Sequence, residues 1–195
     1  MDRAAPHISA GSLPNVLTYA RILAIPAMAA CFLLFKSDAG RWSALAIYLA
    51  ACATDWLDGW LARRMKQTSS FGAFLDPVAD KFLVCAALLV LVELGRLHAL
   101  VALIIIGREI AISALREWMA QIGAARSVAV SMIGKVKTVV QMVAIPFLLF
   151  HGALFGVIDT QWWGTLLIYA SAVLTIWSMI YYLRKALPEI RAKAR

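Results

Sequence analysis

Six long apolar runs dominate this chain and narrow what it can fold into. They lie near residues 16–35, 43–62, 77–95, 97–118, 127–150 and 162–183. Each approaches the roughly 20 apolar residues that carry an α-helix across a bilayer. The chain is 63% hydrophobic and only 15% charged, with a mean hydropathy of +0.79. A soluble domain has about 45–50% apolar and about 25% charged residues, so a very apolar soluble bundle is the disfavoured alternative. The expected fold class is all-α: a polytopic membrane protein with six transmembrane helices in a single membrane-embedded domain, 1–195. A short surface segment over about 1–15 precedes the first span, and a basic tail over about 184–195 follows the last. Pro77 suits either the first turn of the third span or a kink within it.

The net charge of +8 comes from basic residues near the ends of the apolar runs. Orientation and anionic lipid explain such a pattern better than nucleic acid does. Eleven of the 19 lie at the N-terminus, after the second and fourth spans, and in the tail: Arg3, Arg63, Arg64, Lys66, Arg116, Arg126, Arg184, Lys185, Arg191, Lys193 and Arg195. Only Lys36, Arg41 and Arg96 lie on the other side. This asymmetry places both termini in the cytoplasm. Trp42, Trp118, Trp162, Trp163 and Tyr181 sit near span ends as interface anchors. Cys31, Cys52 and Cys85 lack metal-ligand spacing and read as small core residues outside any disulfide.

Against this background, four carboxylates stand out. Asp55, Asp58, Asp76 and Asp80 fall in DWLDGWLARRMKQTSSFGAFLDPVAD, with apolar sequence on both sides. One charge at the bilayer centre costs roughly 2.5–3.5 kcal/mol, so four unpaired would cost on the order of 10 kcal/mol. Asp55 and Asp58 are i,i+3 and Asp76 and Asp80 are i,i+4, so each pair shares a helix face. Four carboxylate groups converging near the cytoplasmic side suit two divalent cations, Mg2+ or Mn2+ given oxygen-only donors. Two such metals clamp the attacking and leaving oxygens of a displacement at phosphorus. Arg63, one turn beyond Gly59, is placed to hold a phosphate. A polar network between helices, or a carboxylate relay in an ion pathway, is the competing account.

The residues Asp55, Asp58-Gly59, Ala62-Arg63, Gly72, Asp76 and Asp80 match D-x2-D-G-x2-A-R-x8-G-x3-D-x3-D at all eight fixed positions. This resembles the signature of the CDP-alcohol phosphotransferases. Leu13-Pro14-Asn15-Val16-Leu17-Thr18 with Arg21 looks like that family's opening segment. Gly107-Arg108-Glu109-Ile110, Ala114-Leu115-Arg116-Glu117-Trp118 and Gly134-Lys135-Val136-Lys137-Thr138 resemble its bacterial phosphatidylglycerophosphate synthase branch. The resemblance implies six spans, a two-metal aspartate site, a homodimer and a place in the bacterial cytoplasmic membrane. It implies CDP-diacylglycerol as donor, sn-glycerol 3-phosphate as acceptor, and phosphatidylglycerol phosphate and CMP as products. Carried over residue by residue, Asp55, Asp58, Asp76 and Asp80 would bind the metals. Asp80 would also take the acceptor's proton. Asn15, Thr18, Gly59, Arg63 and Ser69 would hold the cytidine diphosphate.

The acceptor carries a phosphate of its own and needs cations, for which Arg108, Arg116, Lys135 and Lys137 are the candidates. For Arg116 the alternative role is topological, and for Lys135 it is snorkelling or pairing with Glu109 or Glu117. Lys137, two residues from Lys135, points elsewhere on its helix and is expected to matter less. A sister transferase acting on inositol phosphate, phosphatidylglycerol, serine or choline is the nearest alternative function. A non-enzymatic ion carrier is the distant one.

Overall fold

A computed structural model of the chain describes residues 13–34, 38–65, 70–124, 128 and 132–193, with side chains for all of these except 13–17, 38, 41, 55–65, 70–74 and 193. Among the described residues there are six helices. They are α1 (Leu13–Leu34), α2 (Asp38–Met65), α3 (Ser70–Glu93), α4 (Ala99–Gln121), α5 (Met132–Phe150) and α6 (Thr160–Lys193). A two-stranded antiparallel hairpin, β1 (Ala153–Leu154) and β2 (Ile158–Asp159), joins α5 to α6. The chain packs as two compact units, Met1–Val90 and Leu91–Arg195.

In the first unit α1 packs along α2. The buried positions of α1 are Thr18, Arg21, Met28 and Phe32, and those of α2 include Ala44, Tyr48 and Ala51. Spacings of three, four and seven keep each set on one helical face. Helix α1 begins at Leu13, so it takes in the end of the expected surface segment, with Pro14 in its first turn. Pro77 proves to be interior, because α3 starts at Ser70. It has no N–H to give to the carbonyl of Ala73, one turn back.

In the second unit α6 packs against both α4 and α5. The buried residues Val101, Ile105, Arg108, Ile112, Leu115 and Met119 of α4 alternate by four and three. Two of its neighbours approach very closely: a Cβ added at Gly164 of α6 would lie 2.9 Å from Cγ and 3.1 Å from the backbone N of Leu148 on α5. Only glycine permits that approach. Helix ends are closed by local chemistry. At the end of α4, Gly123 at φ +74 lets Ala124 N–H reach Met119 O at 2.7 Å. At the start of α6, Asp159 Oδ1 accepts from the backbone N of Gln161 at 2.9 Å and of Trp162 at 3.2 Å. The hairpin turns at Phe155-Gly156, both at positive φ, as in a type I′ turn. After the turn from α3, Arg96 donates from Nη1 to the carbonyls of Leu148 and Leu149, at 3.1 and 2.7 Å. A cation thereby meets the unsatisfied carbonyls at the end of α5.

Alongside its apolar core the chain buries several polar side chains and exposes many large apolar ones, unlike a soluble protein. Arg21, Arg108, Lys137, Gln141, Ser171, Thr175 and Ser178 are buried, while Leu23, Phe82, Leu103, Val139, Val173 and Trp177 are exposed. Two of the described helices meet the length and hydropathy needed to cross a membrane: Met132–Phe150, and Thr160–Ala192 within α6. Helices α3 and α4 are long enough but carry Asp76, Asp80 and Lys81, and Arg108, Glu109 and Arg116. The expected basic tail continues α6 as helix to Lys193. The three cysteines are half-buried and outside any disulfide.

Candidate active site

Two constellations of charge are built into the helices, one in each unit. In the first, α3 carries Asp76 and Asp80 one turn apart, and α1 meets them with two buried donors. Thr18 Oγ1 donates to Asp76 Oδ1. Arg21 donates from Nη1 to Asp80 Oδ1 at 2.8 Å. Thr18 and Arg21 are three residues apart, and the carboxylates four, so one face of each helix supplies the pairing. The Arg21 side chain is 0% exposed and that of Asp80 is 45% exposed, so the guanidinium is fixed while the carboxylate stays accessible.

A carboxylate offers about four lone-pair positions, so one bond to α1 does not exhaust either group. The pair therefore fits an oxygen-seeking divalent cation. The side chains of Asp55, Asp58 and Arg63 lie outside the described residues, as does Gly59 apart from its backbone. The backbone of α2 is helical through all four positions, which puts Asp55, Asp58, Gly59 and Ala62 on one face. The side chain of Asn15 and the whole of Ser69 also lie outside the described residues. Thr18, expected to hold the nucleotide, donates to Asp76 here.

The second constellation gathers cations from α4 and α5 around one carboxylate. Glu109 Oε1 accepts from Arg108 Nη1 at 3.2 Å and from Lys137 Nζ. Arg108 also donates from Nη2 to Ser178 Oγ on α6, at 3.1 Å. Arg116 donates from Nη2 to the hydroxyl of Tyr182 at 3.3 Å. Lys137 is 1% exposed and Arg108 is 7% exposed, so this is a buried ionic site and not a surface patch. Two cations bond the one carboxylate and Arg116 is held at Tyr182, leaving two positive charges in excess among Arg108, Glu109, Arg116 and Lys137. Lys135 is exposed, on the side of α5 away from Lys137. The cluster thus brings together Arg108, Arg116 and Lys137, but not Lys135.

Several members of these networks are not evident from the sequence: it shows no partner for Arg21, offers Lys135 as one partner for Glu109, and gives no role to Ser178 or Tyr182. The available signal was the spacing of Ser171, Thr175, Ser178 and Tyr182, by four, three and four along an otherwise apolar run. Polar residues at that period in a membrane helix face protein, not lipid.

A family model described as CDP-alcohol phosphatidyltransferase matches residues 11–180. A protein of Salmonella choleraesuis (strain SC-B67) named CDP-diacylglycerol--glycerol-3-phosphate 3-phosphatidyltransferase is 48% identical over 179 residues, which cover 90% of this chain and 94% of that protein. A protein of the same name from Escherichia coli (strain K12) is 45% identical over 186 residues, or 92% of this chain and 97% of that protein. The matched region takes in both charge constellations.

Proposed function

This chain belongs to the CDP-alcohol phosphatidyltransferase family, and on that premise we propose that it transfers the phosphatidyl group of CDP-diacylglycerol to sn-glycerol 3-phosphate. The products are phosphatidylglycerol phosphate and CMP. The acceptor hydroxyl oxygen bonds to the phosphatidyl phosphorus, the pyrophosphate bond breaks, and the hydroxyl proton leaves to a carboxylate. Relatives 45–48% identical over most of the chain carry that activity in their names.

One structural observation supports the choice of acceptor. Arg108 and Lys137 both bond a single carboxylate, Glu109, and Arg116 lies with Arg108 at the Tyr182 ring. A phosphate monoester carries between one and two negative charges at neutral pH, which the excess of two positive charges balances. A neutral acceptor such as serine or inositol gives no reason to bury those cations, since an uncompensated buried charge is costly. Arginine can bind the phosphate through two parallel N–H donors, with Lys137 supplying a point charge.

Asp55, Asp58, Asp76 and Asp80 would hold two divalent cations, Mg2+ or Mn2+. Those ions, when bound, offset charge on the pyrophosphate and acidify the acceptor hydroxyl. Asp80 is the base, and Arg21 orients it by holding one carboxylate oxygen at 2.8 Å. Thr18 does the same for Asp76. Asn15, Gly59, Arg63 and Ser69 hold the cytidine diphosphate, with Thr18 contributing through its position on α1. The six helices span the bacterial cytoplasmic membrane as one catalytic domain, with both termini and the site on the cytoplasmic side, and the chain works as a homodimer. Such a site lets the donor's acyl chains stay in lipid while its nucleotide reaches the aqueous boundary.

The test is release of labelled CMP from CDP-diacylglycerol by purified protein in mixed micelles, with and without glycerol 3-phosphate. Release that depends on the acceptor is expected. No release under any metal condition would leave the ion-carrier account standing and overturn this one.

A further inference from the structure

The last helix has no role in the reaction described so far, yet α6 touches both arginines of the cation cluster. Ser178 accepts from Arg108 at 3.1 Å, and the Tyr182 hydroxyl accepts from Arg116 at 3.3 Å. Tyr182 does more than accept a bond. Both guanidinium carbons lie near its ring, Arg108 at 5.8 Å and Arg116 at 5.2 Å from the centroid. Tyr182 is 0% exposed. The two arginines are eight residues apart on α4, two helical turns, and they repel each other in a low-dielectric interior. An aromatic face between or beside them supplies the compensating negative potential without adding a formal charge. A second carboxylate in that place would cancel the positive excess that an anion needs.

We infer that Tyr182, assisted by Ser178, is a positioning residue that sets the two arginines for the acceptor phosphate. This rests on the reading of the Arg108, Arg116 and Lys137 cluster as the phosphate site. Each guanidinium has five N–H donors. Arg108 places two of them on Glu109 and Ser178, and Arg116 places one on Tyr182. The Nε of each arginine is buried and makes no hydrogen bond among the described residues. The arginines are thus held by part of their donor sets, with donors remaining for a ligand. Ser178 is fixed in turn, because its hydroxyl donates to Thr175 O at 2.9 Å and so turns its lone pairs to Arg108. Holding both forks before the ligand arrives removes side-chain ordering from the cost of binding.

A purely structural role is the rival, since Tyr182 also packs in an apolar cluster with Ile112, Leu115, Met119, Val128 and Ala186. Tyr182→Phe separates the two, because it keeps the ring and its packing and removes only the acceptor for Arg116. Tyr182→Leu removes the ring as well, and Ser178→Ala removes the acceptor for Arg108. Full-length variants in mixed micelles are titrated with glycerol 3-phosphate at saturating CDP-diacylglycerol, and the reverse, and their thermal unfolding is recorded. Tyr182→Phe and Ser178→Ala are each expected to raise the KM for glycerol 3-phosphate about tenfold, the lower end of losing a hydrogen bond to a charged group. Tyr182→Leu is expected to raise it further. The KM for CDP-diacylglycerol stays within about twofold, and Tyr182→Phe unfolds at the wild-type temperature. Arg108→Ala runs beside them as the control for the underlying reading. If Arg108→Ala raises the acceptor KM but Tyr182→Phe and Ser178→Ala do not, the positioning role is overturned and the phosphate site stands. If Arg108→Ala leaves the acceptor KM unchanged, both fall together.

Discussion

Lys137 and Lys135 are two residues apart on α5, and the structure separates their roles sharply. Lys137 is 1% exposed and bonded to Glu109, whereas Lys135 is exposed. Replacing Lys137 by Met keeps the length and apolar stem and removes the ammonium. The carboxylate of Glu109 is not orphaned, because Arg108 remains 3.2 Å away. The large cost of stranding one partner of a buried pair is therefore avoided, and the protein should still fold. The excess positive charge among Arg108, Glu109, Arg116 and Lys137 falls from two to one. Loss of one charge-assisted contact to a phosphate is worth about 1.5–3 kcal/mol, or roughly tenfold to a hundredfold in kcat/KM for glycerol 3-phosphate. Lys135→Met removes an exposed charge worth less than about 1 kcal/mol, so its effect should stay under roughly fivefold. The assay is paired steady-state titration of both substrates with each purified variant. A larger acceptor effect from Lys135 than from Lys137 would refute the assignment. So would an equal loss for both substrates in Lys137→Met, which would place that residue in donor binding or in the fold.

Excess chelator should abolish turnover and Mg2+ or Mn2+ should restore it; full activity without metal would end the two-metal account. Asp76→Asn should lower activity by orders of magnitude with the melting temperature kept, measured on detergent-solubilised protein. Asp80→Asn should stop transfer yet leave CDP-diacylglycerol binding substantially intact in an equilibrium binding assay, and appreciable turnover would remove Asp80 as the base. Gly164→Ala drives a Cβ to 2.9 Å from Leu148 Cγ. It should cost about 1–3 kcal/mol of overpacking, seen as a lower unfolding temperature with substrate KM values unchanged.

The positions of the helices were legible in the sequence because each is built around a long apolar run. The expected run 97–118 became α4 at Ala99–Gln121, and 127–150 became α5 at Met132–Phe150. Ends were less legible, because polar residues can extend a helix past its apolar run. Helix α6 reaches Lys193 although its apolar run stops near 183. The choice for Pro77 could not be made from its neighbours, since it depended on a helix start at Ser70 among residues with no apolar period. The small hairpin at Ala153–Asp159 was also missed, because two-residue strands carry no period to read. At the site, residue types and spacing on one helix were readable, as with Asp76 and Asp80. Partners across helices were not. Thr18 meets Asp76, and Arg21 meets Asp80, over separations of 58 and 59 residues. Local periodicity says nothing about which face of α1 meets α3. The same limit hid Tyr182, whose importance comes from two arginines 66 and 74 positions away.

The central claim is that buried cations on α4 and α5 select an acceptor bearing its own phosphate. Product analysis with labelled CDP-diacylglycerol and a panel of acceptors tests it most directly. The panel holds glycerol 3-phosphate, inositol phosphate, glycerol, inositol, serine and phosphatidylglycerol at equal concentration. The account predicts phosphatidylglycerol phosphate as the dominant lipid product. Glycerol, which lacks only the phosphate, should be used at least about a hundredfold less efficiently, because two or more charge-assisted contacts are lost. Comparable use of glycerol or serine, or a preference for either, would contradict it.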